Sequence, residues 1–290
     1  GVTGYYRHLV QHLGPDQPFY GLQARGLEEH AGLRHPSIEE MASEYVDAVR
    51  SVQPQGPYLL GGASYGGWIA YEMAQQLARK KEQVALLALF DTGAPKSLAK
   101  DGPATVEEPP PDAASQSYGM AQAMAAIAGK ELRLSLDELQ GLALEEVLAL
   151  VLERVREAGL ADETIDVPWV LRYRQSFNDR IRAGARYRAR PYLGRIVLFR
   201  TRPDPAEPPS EVQDVLAGWK PLSLTGVEAR WVPGSHETMF LEPHVSQLAA
   251  SLAACIQESS RIFVRYGSPE HRRPAPELPA EQSRRRSAKP

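Results

Sequence analysis

The sequence has almost no cysteine, since Cys255 is the only one among its 290 residues. This excludes a disulfide within the chain and a cysteine-rich metal site, and we expect Cys255, on a helical pattern, to be a buried thiol. The charges nearly cancel, at a net −3, which gives no strong field for nucleic acid or a membrane surface. The chain also has no run of about 18 apolar residues and no leader-like start, so a cytoplasmic setting is expected.

Apolar strands and amphipathic helices alternate along the chain. The predicted elements are helix 3–14, strand 17–23, helix 38–52, a strand at 57–60, a helix after Ser64, strand 83–90, helices 144–159 and 167–187, strands 195–201 and 228–232, and helix 246–259. A capping box of Ser37 and Glu40 opens helix 38–52. Such alternation with continuous apolar strands predicts an α/β fold, a mostly parallel sheet with helices on both faces.

A helical block interrupts this alternation. It follows a run rich in proline and charge at 94–112, and we expect residues 113–187 to form a helical lid over the site. An extra helical layer that only adds stability is the alternative. The domain is predicted to span residues 1–259, followed by a disordered tail rich in proline and arginine at 260–290.

One short motif points to a nucleophile. Gly62, Ala63, Ser64, Tyr65 and Gly66 spell G-x-S-x-G between a predicted strand and a predicted helix. Strand and helix meet in a sharp turn, and side chains at both glycine positions are expected to collide there. The turn raises the serine hydroxyl above the carboxyl end of the sheet. The backbone N–H of Tyr65 then points at an oxyanion formed on the attacked carbonyl. Ser64 is the candidate nucleophile and Tyr65 a candidate oxyanion donor.

A serine nucleophile needs a histidine base and an acid, in the chain order serine, acid, histidine. His236 follows a predicted strand and a Pro-Gly turn and is the candidate base, whereas His244 at the start of the last helix is a rival that we interpret as structural. Two acids stay open. Asp91 ends the strand after the nucleophile helix, and Asp204 follows the strand that comes after the helical block.

Four longer stretches carry a family resemblance: YYRHLVQHLGPDQPFYGLQARGL, GGASYGGWIAYEMAQQLARKKEQVALLALFDTGAP, YRARPYLGRIVLFR and VPGSHETMFLEPHVSQLAASL. Together they resemble the C-terminal type I thioesterase domain of non-ribosomal peptide synthetases, a branch of the α/β-hydrolase superfamily, from Gly1 to about Gln257. In that family the acid stands in a D-T/S-x-x-P setting, which Asp91 to Pro95 match. The resemblance therefore favours Asp91 over Asp204.

The resemblance implies a substrate and a partner. A peptidyl or acyl thioester on the phosphopantetheine arm of an upstream carrier domain, expected in the same polypeptide, would pass to Ser64 with His236 as general base. Release would follow by hydrolysis or by macrocyclisation. No intrinsic cofactor or metal is implied. Two alternatives stay open: a stand-alone editing thioesterase or esterase, and a non-catalytic module that docks a carrier domain.

The start of the sequence departs from the family pattern. Family members open with an apolar strand and an H-P-x-G-G-like loop that supplies the second oxyanion donor, whereas this sequence begins GVTGYYRHL. The resemblance makes Gly1 the last glycine of that loop and Val2 the second donor. It also implies that the first strand is missing, and we expect such a fragment of a larger synthetase to be impaired or unstable.

Overall fold

The computed structural model describes residues 3–23, 37–96, 112–162, 165–201 and 216–266. Its helices are α1 (Arg7–Leu13), α2 (Ile38–Val52), α3 (Tyr65–Arg79), α4 (Ala113–Ile127), α5 (Leu144–Glu157), α6 (Val167–Arg186) and α7 (Val245–Tyr266). Its strands are β1 (Tyr58–Ala63), β2 (Val84–Phe90), β3 (Ile196–Thr201) and β4 (Val227–Val232). Val2, Asp204, most of the predicted linker and the chain beyond residue 266 lie outside the described residues.

The four strands form one parallel sheet in the order β1-β2-β3-β4. β2 and β3 are almost entirely buried, because helices cover both faces and leave no polar face for these strands. α2 and α3 pack on one face around Ile38 and Tyr71, and α1 and α7 pack on the other around Leu9 and Leu248. The predicted α/β class, with helices on both faces of a parallel sheet, is confirmed.

Short sequence motifs determine where two of the helices begin or end. α2 begins with the predicted capping box, in which the Glu40 N–H donates to Ser37 Oγ and the Ser37 N–H donates to the Glu40 carboxylate. The helix predicted at 3–14 is a 3-10 turn at Thr3–Tyr6 followed by α1. α1 stops at Gly14, whose φ of 85° suits glycine.

The strand predicted at 17–23 is wrong, since these residues take no regular secondary structure. Phe19 is 38% exposed and Tyr20 is 72% exposed. The two aromatic side chains, which indicated a buried strand, are therefore exposed to solvent. Pro18 adds to the effect because it has no N–H to donate to a neighbouring strand.

α4, α5 and α6 form the helical block predicted at 113–187. The apolar faces of α4 and α5, which include Ala121, Val147 and Val151, meet in a core of their own. Trp169 of α6 lines a cavity together with residues of these two helices. The block is attached to the rest of the domain through the end of α6, where a Cβ at Gly184 would lie 2.5 Å from the Trp68 ring. Because Trp68 lies on α3, the block rests against the helix that follows Ser64.

The last helix closes the described part of the domain. α7 reaches Tyr266, beyond the predicted boundary at residue 259, so the first residues of the predicted tail are helical. Cys255 lies in α7 and is fully buried, which confirms the buried thiol. Among the helices of the described ranges, none is long and apolar enough to cross a membrane.

Candidate active site

Ser64 occupies a strained turn between β1 and α3. Its φ of 51° and ψ of −124° are unfavourable for a residue with a side chain. Two backbone hydrogen bonds hold it, since the Ser64 N–H donates to the Phe90 carbonyl at 2.9 Å and the Ser64 carbonyl accepts from the Gly67 N–H at 2.9 Å. Tyr65 is the first residue of α3, where backbone N–H groups have no intrahelical acceptor. Its N–H therefore belongs to the first turn of α3, whose N–H groups are not used within the helix.

The glycines around Ser64 are not equally crowded. A Cβ at Gly62 would overlap the Gly66 carbonyl and lie 2.7 Å from the Gly67 nitrogen, as expected from the motif. A Cβ at Gly66 would meet nothing within 4 Å, so the collision predicted there is wrong. The second crowded glycine is Gly67, where a Cβ would lie 2.7 Å from Cγ2 of Thr92. The start of α3 approaches β1 and the loop after β2 closely, whereas a side chain at Gly66 would point away from both.

This difference predicts two opposite effects on stability. Gly62→Ala should lower the free energy of unfolding by about 3 kcal/mol, because the new methyl group meets backbone that cannot rotate away. Gly66→Ala should leave it unchanged or raise it by up to about 1 kcal/mol, since alanine favours a helix over glycine. Urea unfolding of the two variants at one pH measures both effects. Equal losses in the two variants would contradict this account of the turn.

Asp91 and His236 meet at the same edge of the sheet as Ser64. Ala63 pairs with Phe90, so Ser64 and Asp91 both stand one residue beyond paired strand positions. His236 Nδ1 lies 2.6 Å from Asp91 Oδ2, in a hydrogen bond. The Asp91 side chain is 9% exposed and that of His236 is 47% exposed. A buried carboxylate therefore holds an imidazole that solvent can reach.

His236 lies in a turn that its own neighbours stabilise. The Ser235 N–H donates to Thr238 Oγ1 at 2.8 Å, and the Met239 N–H donates to the Ser235 carbonyl at 3.0 Å. The rival His244 lies just before α7, with its ring against Gly234, where a Cβ would come 3.0 Å from the ring. His244 thus packs beneath the turn that carries His236.

Arg200 is a charged member of this site that the sequence pattern did not identify. Phe90 pairs with Phe199, so Arg200 stands beside Asp91 at the end of the next strand. Its Nη1 lies 2.8 Å from Asp91 Oδ1, in an ion pair. One oxygen of the carboxylate thus faces His236 and the other faces Arg200. The available signal was a charged residue directly after the apolar run IVLF, near the end of the strand.

These contacts shift both titrating groups. Burial raises the pKa of Asp91, but the hydrogen bond to His236 and the charge of Arg200 outweigh it, so this pKa lies below its ordinary value. The hydrogen bond to Asp91 raises the pKa of His236 above its ordinary value, although burial and the charge of Arg200 oppose this. Asp91 is therefore a carboxylate at neutral pH, and His236 is a stronger base than a free imidazole.

We expect substitutions of the two neighbours to move the pKa of His236 in opposite directions. Asp91→Asn should lower it, because the anion that stabilises the imidazolium is lost. Arg200→Gln should raise it, because a repelling charge is lost. NMR titration of the His236 ring protons measures both. Arg230→Gln, on β4 and paired with Glu228 and Glu258, is the matched control and should leave this pKa in place. A pKa that Asp91→Asn does not lower would contradict the assignment.

One group of potential metal ligands occurs in the part of the chain that the structure describes. Glu228, Cys255 and Glu258 place ligand atoms within 4.8 Å of one another. Arg195 lies 2.9 Å from Glu228 and 2.6 Å from Glu258, however, and Arg230 also contacts both carboxylates. Two guanidinium groups already neutralise these acids. The cluster fits an ion-pair network that ties β4 to α7 better than it fits a cation site.

The sheet, its helical layers and the serine turn place the chain in the α/β-hydrolase class. Solved structures of this fold are similar to it over most of its length. The Vlm2 thioesterase domain has a TM-score of 0.60 at 23% identity, covering 88% of this chain and 89% of that one. A model of the thioesterase domain family matches residues 1–256, and the chain belongs to that family. The family resemblance inferred from the sequence is confirmed, and the domain is a hydrolase of the thioesterase type.

The relatives are much longer synthetases. Malpibaldin synthetase of Mortierella alpina is 47% identical over 98 residues, 34% of this chain and 2% of the synthetase. The dimodular nonribosomal peptide synthase of Bacillus subtilis (strain 168) is 27% identical over 266 residues, 90% of this chain and 10% of that protein. A crystal structure of a four-domain nonribosomal peptide synthetase, AB3403, gives 29% identity and a TM-score of 0.73, covering 88% of this chain and 18% of that one. The chain spans a small part of these relatives.

Proposed function

We propose that this domain is a serine thioesterase that releases a peptidyl or acyl chain from the phosphopantetheine arm of a carrier domain. The observation that carries the proposal is the 2.6 Å hydrogen bond between His236 Nδ1 and Asp91 Oδ2, at the sheet edge where Ser64 follows the end of β1. An imidazole held through Nδ1 presents Nε2 as a base, which is how a histidine activates a serine hydroxyl.

In the proposed first half-reaction, Ser64 Oγ attacks the thioester carbonyl carbon while His236 Nε2 takes the hydroxyl proton. The Asp91 carboxylate stabilises the imidazolium that forms. The N–H of Tyr65, with that of Val2 as second donor, would bind the oxyanion of the tetrahedral intermediate. Its collapse breaks the C–S bond, and the leaving thiolate takes the proton from His236. The chain is then an ester on Ser64.

The second half-reaction determines the product. A water molecule, or an amine or hydroxyl group of the bound chain, attacks the ester carbonyl while His236 again accepts the proton. Ser64 leaves as an alkoxide and is reprotonated by His236. Water gives a free acid, and an internal nucleophile gives a macrocycle. Both outcomes use the same catalytic groups, so the entry of water to the ester decides between them.

We assign this control of water to α4, α5 and α6, acting as a lid. An apolar cavity lies between these helices, lined among others by Met120, Leu148 and Trp169. Its lining does not include Ser64, Asp91 or His236, so it supports an apolar lid interior rather than marking the reaction centre itself. A lid that covers a serine ester limits its exposure to water. The contact of Gly184 with Trp68 links the helical block to α3, the helix that begins directly after Ser64.

The synthetase relatives support the proposed partner. A carrier domain of the same polypeptide would deliver the thioester, and phosphopantetheine would belong to that carrier rather than to this domain. The proposal therefore requires no cofactor from the chain itself.

Intact-protein mass spectrometry after exposure to a peptidyl N-acetylcysteamine thioester, a mimic of the phosphopantetheine arm, tests this function. We expect an acyl adduct on the protein, with free acid or a ring appearing in solution. Faster turnover of a matched oxygen ester would favour the esterase alternative. Binding of a loaded carrier domain without adduct or product would favour the docking module.

A further inference from the structure

Two consecutive tyrosines in the 3-10 turn Thr3–Tyr6 reach both halves of the proposed active site. The Tyr5 hydroxyl donates to the backbone carbonyl of His236 at 3.0 Å and lies 3.4 Å from that of Glu237. The Tyr6 hydroxyl accepts from the backbone N–H of Ala63 at 3.3 Å. Ala63 directly precedes Ser64. One short turn therefore contacts the base-bearing loop and the nucleophile turn at the same time.

We infer that Tyr5 and Tyr6 form a hydroxyl clamp that positions the His236 loop relative to Ser64. The inference rests on the proposed function, because it gives the clamp a catalytic purpose. Both hydroxyl groups bind backbone atoms rather than reacting atoms, so the two tyrosines are positioning residues. Displacement of a catalytic group by about 1 Å is enough to slow a reaction up to about a hundredfold, which gives such a clamp a measurable effect.

The rings of the clamp are held independently of its hydroxyl groups. Phe240, which is fully buried, has its ring centroid 4.6 Å from that of Tyr5 and 5.2 Å from that of Tyr6. It also packs 5.4 Å from Phe90 at the end of β2. A phenylalanine at either tyrosine position keeps this aromatic packing and removes only the hydrogen bond. The hydroxyl groups can therefore be tested without removing the rings.

Both hydroxyl groups keep their protons at neutral pH. Burial raises the pKa of Tyr5, and the neighbouring Tyr6, Glu237 and Asp91 raise it further. Burial also raises the pKa of Tyr6, against a smaller effect of the hydrogen bond from Ala63. Tyr5 thus remains a hydrogen-bond donor to the His236 loop over the pH range in which His236 titrates.

The test compares Tyr5→Phe and Tyr6→Phe with Tyr58→Phe. Tyr58 is a matched control because it is buried and its hydroxyl donates to the Gln53 carbonyl at 3.1 Å, at the opposite end of β1. In N-acetylcysteamine thioester turnover, we expect Tyr5→Phe and Tyr6→Phe each to lower kcat about tenfold with KM within about twofold. Tyr58→Phe should keep the kcat of the wild type, even if it lowers Tm as much as Tyr5→Phe and Tyr6→Phe do.

A second readout does not depend on turnover. Tyr5→Phe should shift or broaden the NMR signals of the His236 ring, while Tyr58→Phe leaves them unchanged. Equal kcat values for all three variants, with unchanged His236 signals, would overturn the clamp and leave the proposed function intact. Failure of the wild type to form any acyl-enzyme would overturn the proposed function, and the catalytic purpose of the clamp with it.

Discussion

Ser64→Ala should form no acyl-enzyme and should lower kcat/KM for a thioester by about 10⁴-fold or more, since the proposed nucleophile is removed. The substitution deletes one hydroxyl oxygen from a turn that backbone hydrogen bonds hold, so the fold should persist. Labelling with a fluorophosphonate probe and thioester turnover measure the two losses. Ser246→Ala, at the start of α7, is the control and should retain both activities.

Labelling that survives in Ser64→Ala would contradict this assignment, because it would require another nucleophile. Loss of labelling in Ser246→Ala as well would point to a general effect of serine removal on folding. Circular dichroism of both variants shows whether lost labelling comes from the missing nucleophile or from unfolding. We expect Ser64→Ala to be folded and unlabelled.

Asp91→Asn should lower kcat about 10⁴-fold, as expected for loss of the carboxylate that orients a catalytic imidazole. Asparagine keeps the shape of the side chain but no longer stabilises the imidazolium. Asp204→Asn is the matched variant, because Asp204 is the other acid that the sequence left open, and it should keep nearly full activity. Measurement of kcat for the two variants with one thioester compares them directly. A larger loss of kcat in Asp204→Asn than in Asp91→Asn would show that Asp204 is the acid.

The pH dependence of kcat/KM gives a second test of the same pair. A base must be neutral to act, so activity should fall as the pH drops through the raised pKa of His236. Asp91→Asn lowers that pKa, and the acidic limb of its remaining activity should move to lower pH. An acidic limb in the same place for both proteins would show that His236 and Asp91 are not the titrating pair.

The fold was predictable where the information is local. The capping box of Ser37 and Glu40 fixed the start of α2, and a continuous apolar run fixed β2 up to Asp91. Residues 17–23 failed because their aromatic side chains indicated a buried strand, while burial depends on what the rest of the chain places beside them. α7 extends beyond residue 259 to Tyr266, because residues 260–266 read SRIFVRY and contain neither proline nor glycine to end the helix.

The candidate site was also predictable only in part, where a local signal existed. A motif, a strand end and the family resemblance led to Ser64, Asp91 and His236; the structure shows the hydrogen bond between Asp91 and His236, and the catalytic roles stay predictions. The roles of Gly67 and Arg200 depend on contacts with Thr92 and Asp91, which only the packing of α3 and β3 against the loop after β2 creates. Tyr5 contacts a loop more than 200 residues away in the chain. A periodic pattern within a helix carries no signal for such a contact.

In the proposed mechanism, thioester cleavage proceeds through an ester on Ser64. Rapid-quench peptide mapping of the wild-type protein, at times shorter than one turnover, tests it most directly. We expect the acyl group to appear on the peptide containing Ser64, and to form and disappear at least as fast as product accumulates. Turnover without acyl-Ser64, or an adduct on a different residue that keeps pace with product, would contradict it.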